Sequence, residues 1–273
     1  MAQSDNRGRF VWHELLAKDA QAAKSFYQTV VGWGTSNWGD GVDYTMWMAG
    51  QTPVGGLMTG NPDPSQPEMP PMWIAYVSVD SVDDTIETTI QSGGGVIMPA
   101  RTMPDVGRFA VLRDPQGATF AVITGQGEIA PETDPKPLEF SWHELITHDY
   151  KAAAEFYNKI FGWKKQSEFD MGDMGTYYMF GRDRFTYGGI MNMPPGTPGP
   201  SWLHYVQVSD TADAAADRAK AAGGTIINGP MEVPGGDRIA AIIDPQGAAF
   251  AVHSKAPVAA QSYQTGSTES ARA

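Results

Sequence analysis

The 273-residue chain contains no cysteine, which excludes disulfides, thiolate metal ligands and cysteine nucleophiles together. No run of 18 or more consecutive apolar residues could cross a bilayer as a helix. Basic residues are scarce, with 19 Lys and Arg against 31 Asp and Glu and a formal net charge of −12. Nucleic acids and anionic membranes bind basic surfaces. We therefore expect neither as a partner.

Signals for export and for common cofactors are also missing. The first residues, MAQSDNRGRF, lack a basic stretch followed by an apolar run and a small-residue cleavage site, so we expect a cytoplasmic protein. No G-x-G-x-x-G, G-x-x-x-x-G-K, G-x-S-x-G or H-E-x-x-H pattern occurs. Nucleotide-binding, serine-hydrolase and zinc-protease functions therefore have no support.

An internal repeat is the main feature of the sequence. FVWHELLAKDAQAAKSFYQTVVGW at 10–33 returns as FSWHELITHDYKAAAEFYNKIFGW at 140–163, identical at 12 of 24 positions. RDPQGATFAV at 113–122 and IDPQGAAFAV at 243–252 keep the same offset. The repeat predicts two similar domains, 8–124 and 140–254. The Pro-rich, acidic segment 125–139 is interpreted as a linker, and 255–273 as a flexible tail.

Each copy has an α+β pattern. In the first copy, 10–17 is an apolar strand, and Asp19 can N-cap a helix that ends near Gly32. Strand-like runs follow at 44–50 and 53–59. A second strand at 73–80, a helix over 82–94 and a hairpin over 109–123 that turns at DPQG then repeat the plan. We expect two βαβββ units in each domain.

These motifs, in this order and present twice, resemble the glyoxalase, bleomycin-resistance and extradiol-dioxygenase superfamily, also called the vicinal oxygen chelate (VOC) superfamily. The tandem, two-domain glyoxalase-like or hydroxylase-like branch is the most similar. The resemblance implies that the paired βαβββ units of each domain form a half-open, cup-shaped sheet. The matching positions are Asp19, Phe26, Tyr27, Gly32, Asp114, Pro115 and Gly117 in the first copy, and Asp149, Phe156, Tyr157, Gly162, Asp244, Pro245 and Gly247 in the second.

The resemblance also locates the positions that usually hold a divalent metal in each cup. In this sequence they fall on Trp12, Leu57 or Met58, Ile74 and Ala121, and on Trp142, Ile190 or Met191, Leu203 and Ala251. None offers an oxygen or an imidazole nitrogen to a hard cation. We therefore expect no metal and no other cofactor.

Glu14 and Glu144 are the candidate catalytic groups. Strand alternation places Trp12 and Glu14 on one face and His13 on the other, and the family register directs the Trp12 face into the cup. A desolvated carboxylate beside an aromatic ring is suited to acid or base work. Alternatively, the two glutamates pair with Arg108 and Arg238 and brace the cup walls.

Histidines supply a further candidate. His13 and His143 are predicted to be core residues beneath the helices. His204 stands where the first copy has Ala75, and is a third acid-base candidate if it faces a cavity; otherwise it is a surface or interdomain residue.

Tryptophan at a metal-ligand position would turn a polar cup into an aromatic-walled pocket. The predicted ligand-binding residues are Trp12, Trp47, Trp73, Trp142, Tyr178 and Trp202. Other aromatic residues on the cup-forming strands include Tyr44, Tyr76, Tyr177 and Tyr205.

Three functions remain open. The leading hypothesis is metal-independent binding of a small aromatic or apolar molecule in the cups. An enzyme is the second: a lyase, an isomerase or a hydroxylase (an oxidoreductase) that uses Glu14, Glu144 or His204. The third is an interaction protein whose cups are filled by Trp12 and Trp142. Single-domain members of the superfamily pair as two chains, so we expect an intrachain pseudo-dimer and a monomer or weak homodimer.

Overall fold

A computed structural model describes residues 6–39, 44–59, 69–126 and 130–256. Within these ranges the chain forms two consecutive α+β domains, each with one open eight-stranded sheet and two helices. The predicted fold, two tandem domains of paired βαβββ units, is confirmed.

In the first domain the strands are β1 (Phe10–Ala17), β2 (Gly34–Asn37), β3 (Thr45–Ala49), β4 (Thr52–Thr59), β5 (Met72–Ser78), β6 (Gly95–Met103), β7 (Gly107–Arg113) and β8 (Thr119–Gly125), and the helices are α1 (Ala20–Val30) and α2 (Val82–Gln91). In the second domain the strands are β9 (Phe140–Thr147), β10 (Lys164–Asp170), β11 (Thr176–Arg182), β12 (Phe185–Asn192), β13 (Ser201–Gln207), β14 (Thr225–Glu232), β15 (Arg238–Ile243) and β16 (Ala249–Ser254). Its helices are α3 (Tyr150–Phe161) and α4 (Ala212–Ala221), and a short 3₁₀ turn covers Gly172–Met174.

The WHEL strands lie in the middle of both sheets. The strand order is β2-β3-β4-β1-β5-β8-β7-β6 in the first domain, and the second domain has the matching order β10-β11-β12-β9-β13-β16-β15-β14. β1 pairs parallel with β4 and antiparallel with β5, so Glu14 lies opposite Gly56 on one side and Ile74 on the other. Alternate residues of β1 therefore lie at the centre of the concave face.

Local signals in the sequence account for the helix ends. The Asp19 carboxylate accepts hydrogen bonds from the backbone N–H groups of Gln21 and Ala22, as an N-cap does. Helix α3 ends at Gly162, whose φ of 77° lies in the left-handed region that glycine adopts readily. The βαβββ plan implied strands β2 and β6, but neither range was located from the sequence; β2 is a fully exposed edge strand with no apolar alternation.

The two main hydrophobic cores are shared between the domains. One core combines the first half of domain one, together with Trp73 of β5, with the second half of domain two, and includes Tyr27 of the former and Phe250 of the latter. The other core makes the reciprocal combination and includes Phe120 and Tyr157. Each sheet therefore has a helix-covered face that packs between the domains and an opposite concave face that does not.

The DPQG turns join the domains. The hydroxyl of Tyr27 accepts the indole N–H of Trp73 at 2.9 Å and donates to Asp244 Oδ2 at 3.0 Å. The side chain of Gln246 binds the backbone of Asp19 as both acceptor and donor. The other DPQG turn repeats both contacts: Trp202, Tyr157 and Asp114 form the same relay, and Gln116 binds the backbone of Asp149. The turn motif thus has an interdomain role as well as a local one.

The described part of the linker runs along both domains. The backbone N–H of Leu138 donates to Gln207 O at 2.6 Å, and its carbonyl accepts the indole N–H of Trp33 at 2.8 Å. Residues 127–129 of the predicted linker, and 257–273 of the predicted tail, lie outside the described residues.

None of the described helices combines the length and apolar character that a membrane span requires.

Candidate functional site: two cups around glutamates

Strand alternation separates the two faces of β1. Trp12 and Leu16 belong to a small apolar cluster on the concave face, whereas Leu15 and Ala17 belong to the interdomain core. Glu14 is on the concave face, because the Tyr76 hydroxyl of the same cluster donates to its Oε2 at 3.1 Å. The expected register of the strand is therefore the one the structure has.

Glu14 lies at the floor of the first cup and is 5% exposed. The hydroxyl of Tyr44, which accepts the indole N–H of Trp12 at 3.0 Å, lies beside the same carboxylate. Glu14 Oε1 is buried and makes no hydrogen bond of regular geometry with the described residues, although the Tyr44 hydroxyl is close enough to lower the pKa of the carboxyl group. The first cup thus offers one unused acceptor.

The second cup repeats this cluster with one difference. Glu144 accepts hydrogen bonds from the hydroxyls of Tyr177 at 2.9 Å and Tyr205 at 3.2 Å, one on each carboxylate oxygen. Trp142 donates its indole N–H to the Tyr177 hydroxyl at 2.8 Å. Both oxygens of Glu144 are therefore in use, unlike those of Glu14.

Two glycines make room for the tyrosines. A Cβ atom at Gly56 would overlap the Tyr44 hydroxyl, and one at Gly189 would overlap the ring of Tyr177. These glycines belong to the Gly-Gly pairs that the two copies share at 55–56 and 188–189. Their absent side chains let a tyrosine from the neighbouring strand reach the glutamate.

Burial shifts the acid-base properties of both clusters. Desolvation raises the pKa of Glu14 and of Glu144, and hydrogen bonds from the tyrosine hydroxyls lower it in part. Desolvation, together with the nearby carboxylate charge, raises the pKa of Tyr76 and Tyr205 well above the usual value. The tyrosines are therefore persistent donors, and each glutamate can take up a proton closer to neutral pH than usual.

Among the described residues, the positions that usually hold the metal in this superfamily carry no ligand for a hard divalent cation. Trp12, Ile74 and Ala121 lie in the concave cluster of the first domain, and Trp142, Leu203 and Ala251 lie in that of the second. Leu57 and Ile190 lie in the interdomain cores, so alternation leaves Met58 and Met191 as the concave-face residues at the fourth positions. A thioether suits soft metals, and the other side chains have no donor atom of the required kind.

Four of the six predicted ligand-binding residues do not line a cup. Trp47 and Trp73 are buried in one interdomain core, and Trp202 and Tyr178 pack against the other. The physical reason is the two-residue period of a strand: Trp73 and Trp202 immediately precede Ile74 and Leu203, so they point to the opposite face. Trp12 and Trp142 lie in the cups as expected. The tyrosines around each glutamate had been noted on cup-forming strands but not assigned a role.

The alternative that Arg108 and Arg238 pair with the glutamates is wrong. Arg108 forms an exposed ion pair with Asp83 at 2.7 Å, and Arg238 forms the equivalent pair with Asp213 at 2.6 Å. Both aspartates are in the first turns of helices α2 and α4. The cup glutamates thus have tyrosines, and no arginine, as their described partners.

His204 does not face a cup. It is 1% exposed and lies between the domains, where its Nδ1 is 3.0 Å from Nδ1 of His143. His13 is also on this interdomain face, stacked on Phe140 with ring centroids 3.6 Å apart. Burial lowers the pKa of His204 to about 3 and, with the neighbouring histidines, lowers the pKa of His13 and His143 well below the usual value. The placement of His204 removes it from the acid-base candidates of the cups.

The architecture defines a tandem βαβββ protein with one glutamate-centred cup in each domain. A model of the Glyoxalase/Bleomycin resistance protein/Dioxygenase superfamily matches residues 9–122 and 139–252. The chain therefore belongs to this superfamily, and the resemblance inferred from its motifs is confirmed.

Named relatives span nearly the whole chain. "Putative glyoxylase CFP32" of Mycobacterium tuberculosis is 34% identical over 251 residues, covering 90% of this chain and 94% of the relative. "Anthracycline biosynthesis protein DnrV" of Streptomyces peucetius is 30% identical over 258 residues, covering 90% and 92% respectively.

Solved structures share the fold at low sequence identity. The Mn(II)-bound glyoxalase from Novosphingobium aromaticivorans superposes with a TM-score of 0.62 at 18% identity, covering 92% of this chain and 83% of that one. The 2,3-dioxygenase LapB from Pseudomonas sp. KL28 gives 0.63 at 11% identity, covering 92% and 94%. At these identities the likeness extends to the fold alone.

Proposed function

We propose that the cups bind a small, flat, largely aromatic molecule without a metal ion. The observation that carries the proposal is the unpartnered Oε1 of Glu14, buried at the floor of a cup with apolar walls. An unpaired buried acceptor is costly. A ligand hydroxyl or N–H placed there would remove that cost.

The walls of the first cup suit an aromatic ligand. Trp12, Phe109, Met72 and Ile123 all lie in the concave cluster and are only partly buried. Aromatic and thioether side chains pack well on ring faces. A pocket of mostly apolar walls with one or two directed polar groups is the common form of a small-molecule site.

Relatives support the same chemical class. Two Streptomyces relatives are named for anthracycline biosynthesis, and anthracyclines are polycyclic aromatic compounds that carry phenol groups. A phenol donating to Glu14 Oε1, with its ring against Trp12, would use both features of the cup. We infer a ligand of this general kind, and binding does not require it to be an anthracycline.

A second candidate, an enzyme, is favoured by the raised pKa of Glu14 and Glu144. A buried carboxyl group flanked by tyrosine donors can move a proton on a bound substrate, which would suit a lyase, isomerase or hydroxylase. The third candidate, an interaction protein with filled cups, requires Trp12 and Trp142 to seal the cups. The partial exposure of both residues argues against it.

Alizarin, a dihydroxyanthraquinone, is a suitable probe. Isothermal titration in the presence of EDTA should show saturable binding, tighter at the first cup because Glu144 has no free oxygen. Glu14→Gln should weaken the tighter site by about 10-fold or more, the loss expected for a hydrogen bond to a charged group. Trp12→Ala should weaken it as well. Glu155→Gln, an exposed glutamate on α3, is the matched control and should bind like the parent chain.

The outcomes separate the candidates. Absence of saturable binding, or binding that neither Glu14→Gln nor Trp12→Ala changes, would refute the cup as the site. Binding that appears only after divalent metal is added would refute metal independence. A progressive spectral change of bound probe that stops in Glu14→Gln combined with Glu144→Gln would establish the enzyme instead.

A further inference from the structure

Three histidines meet between the domains, on the face of each sheet away from the cup. His13 comes from β1, and His143 and His204 come from β9 and β13. Their ring centroids are 5.1, 5.5 and 5.3 Å apart. One ring nitrogen from each lies within 4.8 Å of the others. All three side chains are buried, with exposures of 5%, 6% and 1%.

The ring nitrogens of this cluster are not all hydrogen-bonded within the described part of the protein. Nδ1 of His143 and Nδ1 of His204 are 3.0 Å apart, so only one of them can donate to the other. Nε2 of His13 is buried and has no hydrogen-bond partner among the described residues. A buried polar nitrogen left unpaired in a folded protein calls for a bound species.

The spacing fits a metal ion. Three imidazoles bound tetrahedrally to one ion at about 2.1 Å have ring centroids roughly 5.2 Å apart, close to the three observed separations. We propose that His13, His143 and His204 bind one first-row transition-metal dication, such as Zn²⁺, at the domain interface. This site is separate from the cups and goes beyond the function proposed for them.

Aromatic stacking holds two of the three rings in place. His13 stacks on Phe140 and His143 stacks on Phe10, each with centroids 3.6 Å apart. The neutral form of an imidazole is the one that binds a metal ion.

Within the part of the chain that the structure describes, this histidine cluster occurs once. His143 lies opposite His204 across β9 and β13, whereas His13 lies opposite Ala75 across β1 and β5. The two WHEL histidines therefore need His204, which only the second copy has. Since the ligands come from both domains, a bound ion would link them.

Cobalt provides the test, because Co²⁺ replaces Zn²⁺ in such sites and absorbs visible light when tetrahedral. The full, untagged chain would be refolded with Co²⁺, and also produced in cobalt-supplemented medium, then dialysed and measured by visible absorption and elemental analysis. We expect one ion per chain. His204→Ala, which installs the residue found at Ala75, should weaken binding by more than about 100-fold, since even outer-shell changes weaken metal binding 10–100-fold.

The controls decide where an ion is bound. His148→Ala removes an exposed histidine and should keep one ion per chain, as should Glu14→Gln, which changes a cup. A parent chain that retains no ion by either route would overturn the proposal, and so would a folded His204→Ala variant that binds like the parent. Loss of the ion in Glu14→Gln with retention in His204→Ala would place it in a cup, contradicting this site and the metal-free cups together.

Discussion

Tyr27→Phe, which removes one buried hydroxyl, tests how the two domains are held together. The Tyr27 side chain is fully buried, and its hydroxyl links Trp73 of its own domain to Asp244 of the other. Phenylalanine fills nearly the same volume. The substitution therefore removes two hydrogen bonds without opening a large cavity.

The expected loss follows from the groups left behind. A hydrogen bond to a charged group contributes about 1.5–3 kcal/mol, and a buried donor left unpaired costs about 1–3 kcal/mol. Asp244 keeps the three backbone N–H groups that donate to its other oxygen. Its carboxylate is therefore not left without hydrogen-bond donors. Tyr27→Phe should lower the free energy of unfolding by about 3–5 kcal/mol, which lowers Tm by at least roughly 6 °C.

Urea denaturation and scanning calorimetry would measure this loss. Tyr157→Phe should give a similar value, because Tyr157 links Trp202 to Asp114 in the same way. Tyr150→Phe, at a partly exposed position at the start of α3, is the matched control and should change stability by less than about 0.5 kcal/mol. If both Tyr27→Phe and Tyr157→Phe lower the free energy of unfolding by less than about 1 kcal/mol, these hydrogen bonds do not hold the two domains together.

Three further outcomes are expected. Gly56→Ala and Gly189→Ala should each destabilise the chain by about 1–3 kcal/mol, because the new methyl group overlaps a cup tyrosine; unchanged denaturation midpoints would show that the tyrosines can move aside freely. Since burial raises the pKa of Glu14 in the folded chain, its contribution to stability is present below the unfolded pKa of about 4.3 and is lost as pH rises through the folded value. The parent should therefore lose stability relative to Glu14→Gln as pH rises above about 4, and a difference that grows in favour of the parent would contradict the burial argument. Because the domains share both main cores, sedimentation should show a monomer and NMR relaxation a single tumbling body; two independent correlation times would refute that packing.

The sequence was sufficient for the fold because the signals that specify it are local or repeated. Asp19 and Gly162 mark helix ends through their own backbone contacts, and period-two alternation in β1 separates Glu14 from His13. Strand β2 was missed, since an exposed edge strand carries no such pattern.

The two-residue alternation of side chains along a strand also explains why some ligand-binding residues were assigned to the wrong face. Trp73 and Ile74 are adjacent, and a strand sends them to opposite faces. The aromatic residues could be located on cup-forming strands from the sequence, but the face of each depended on a register known only for β1. Tyr44 could not be paired with Glu14, because that contact crosses from the residue just before β3, past Gly56 of β4, to β1.

The sequence by itself determined the duplicated α+β domain, the superfamily and the central place of the WHEL strand, because repeated motifs and strand periodicity are properties of the chain alone. Tertiary structure decided which partners each charged or polar group receives. Arg108 reaches Asp83 rather than Glu14, Tyr27 reaches Asp244 of the other domain, and His204 meets His143 between the sheets. These contacts join residues far apart in the sequence, and they depend on how the two sheets pack against each other, which no local pattern encodes.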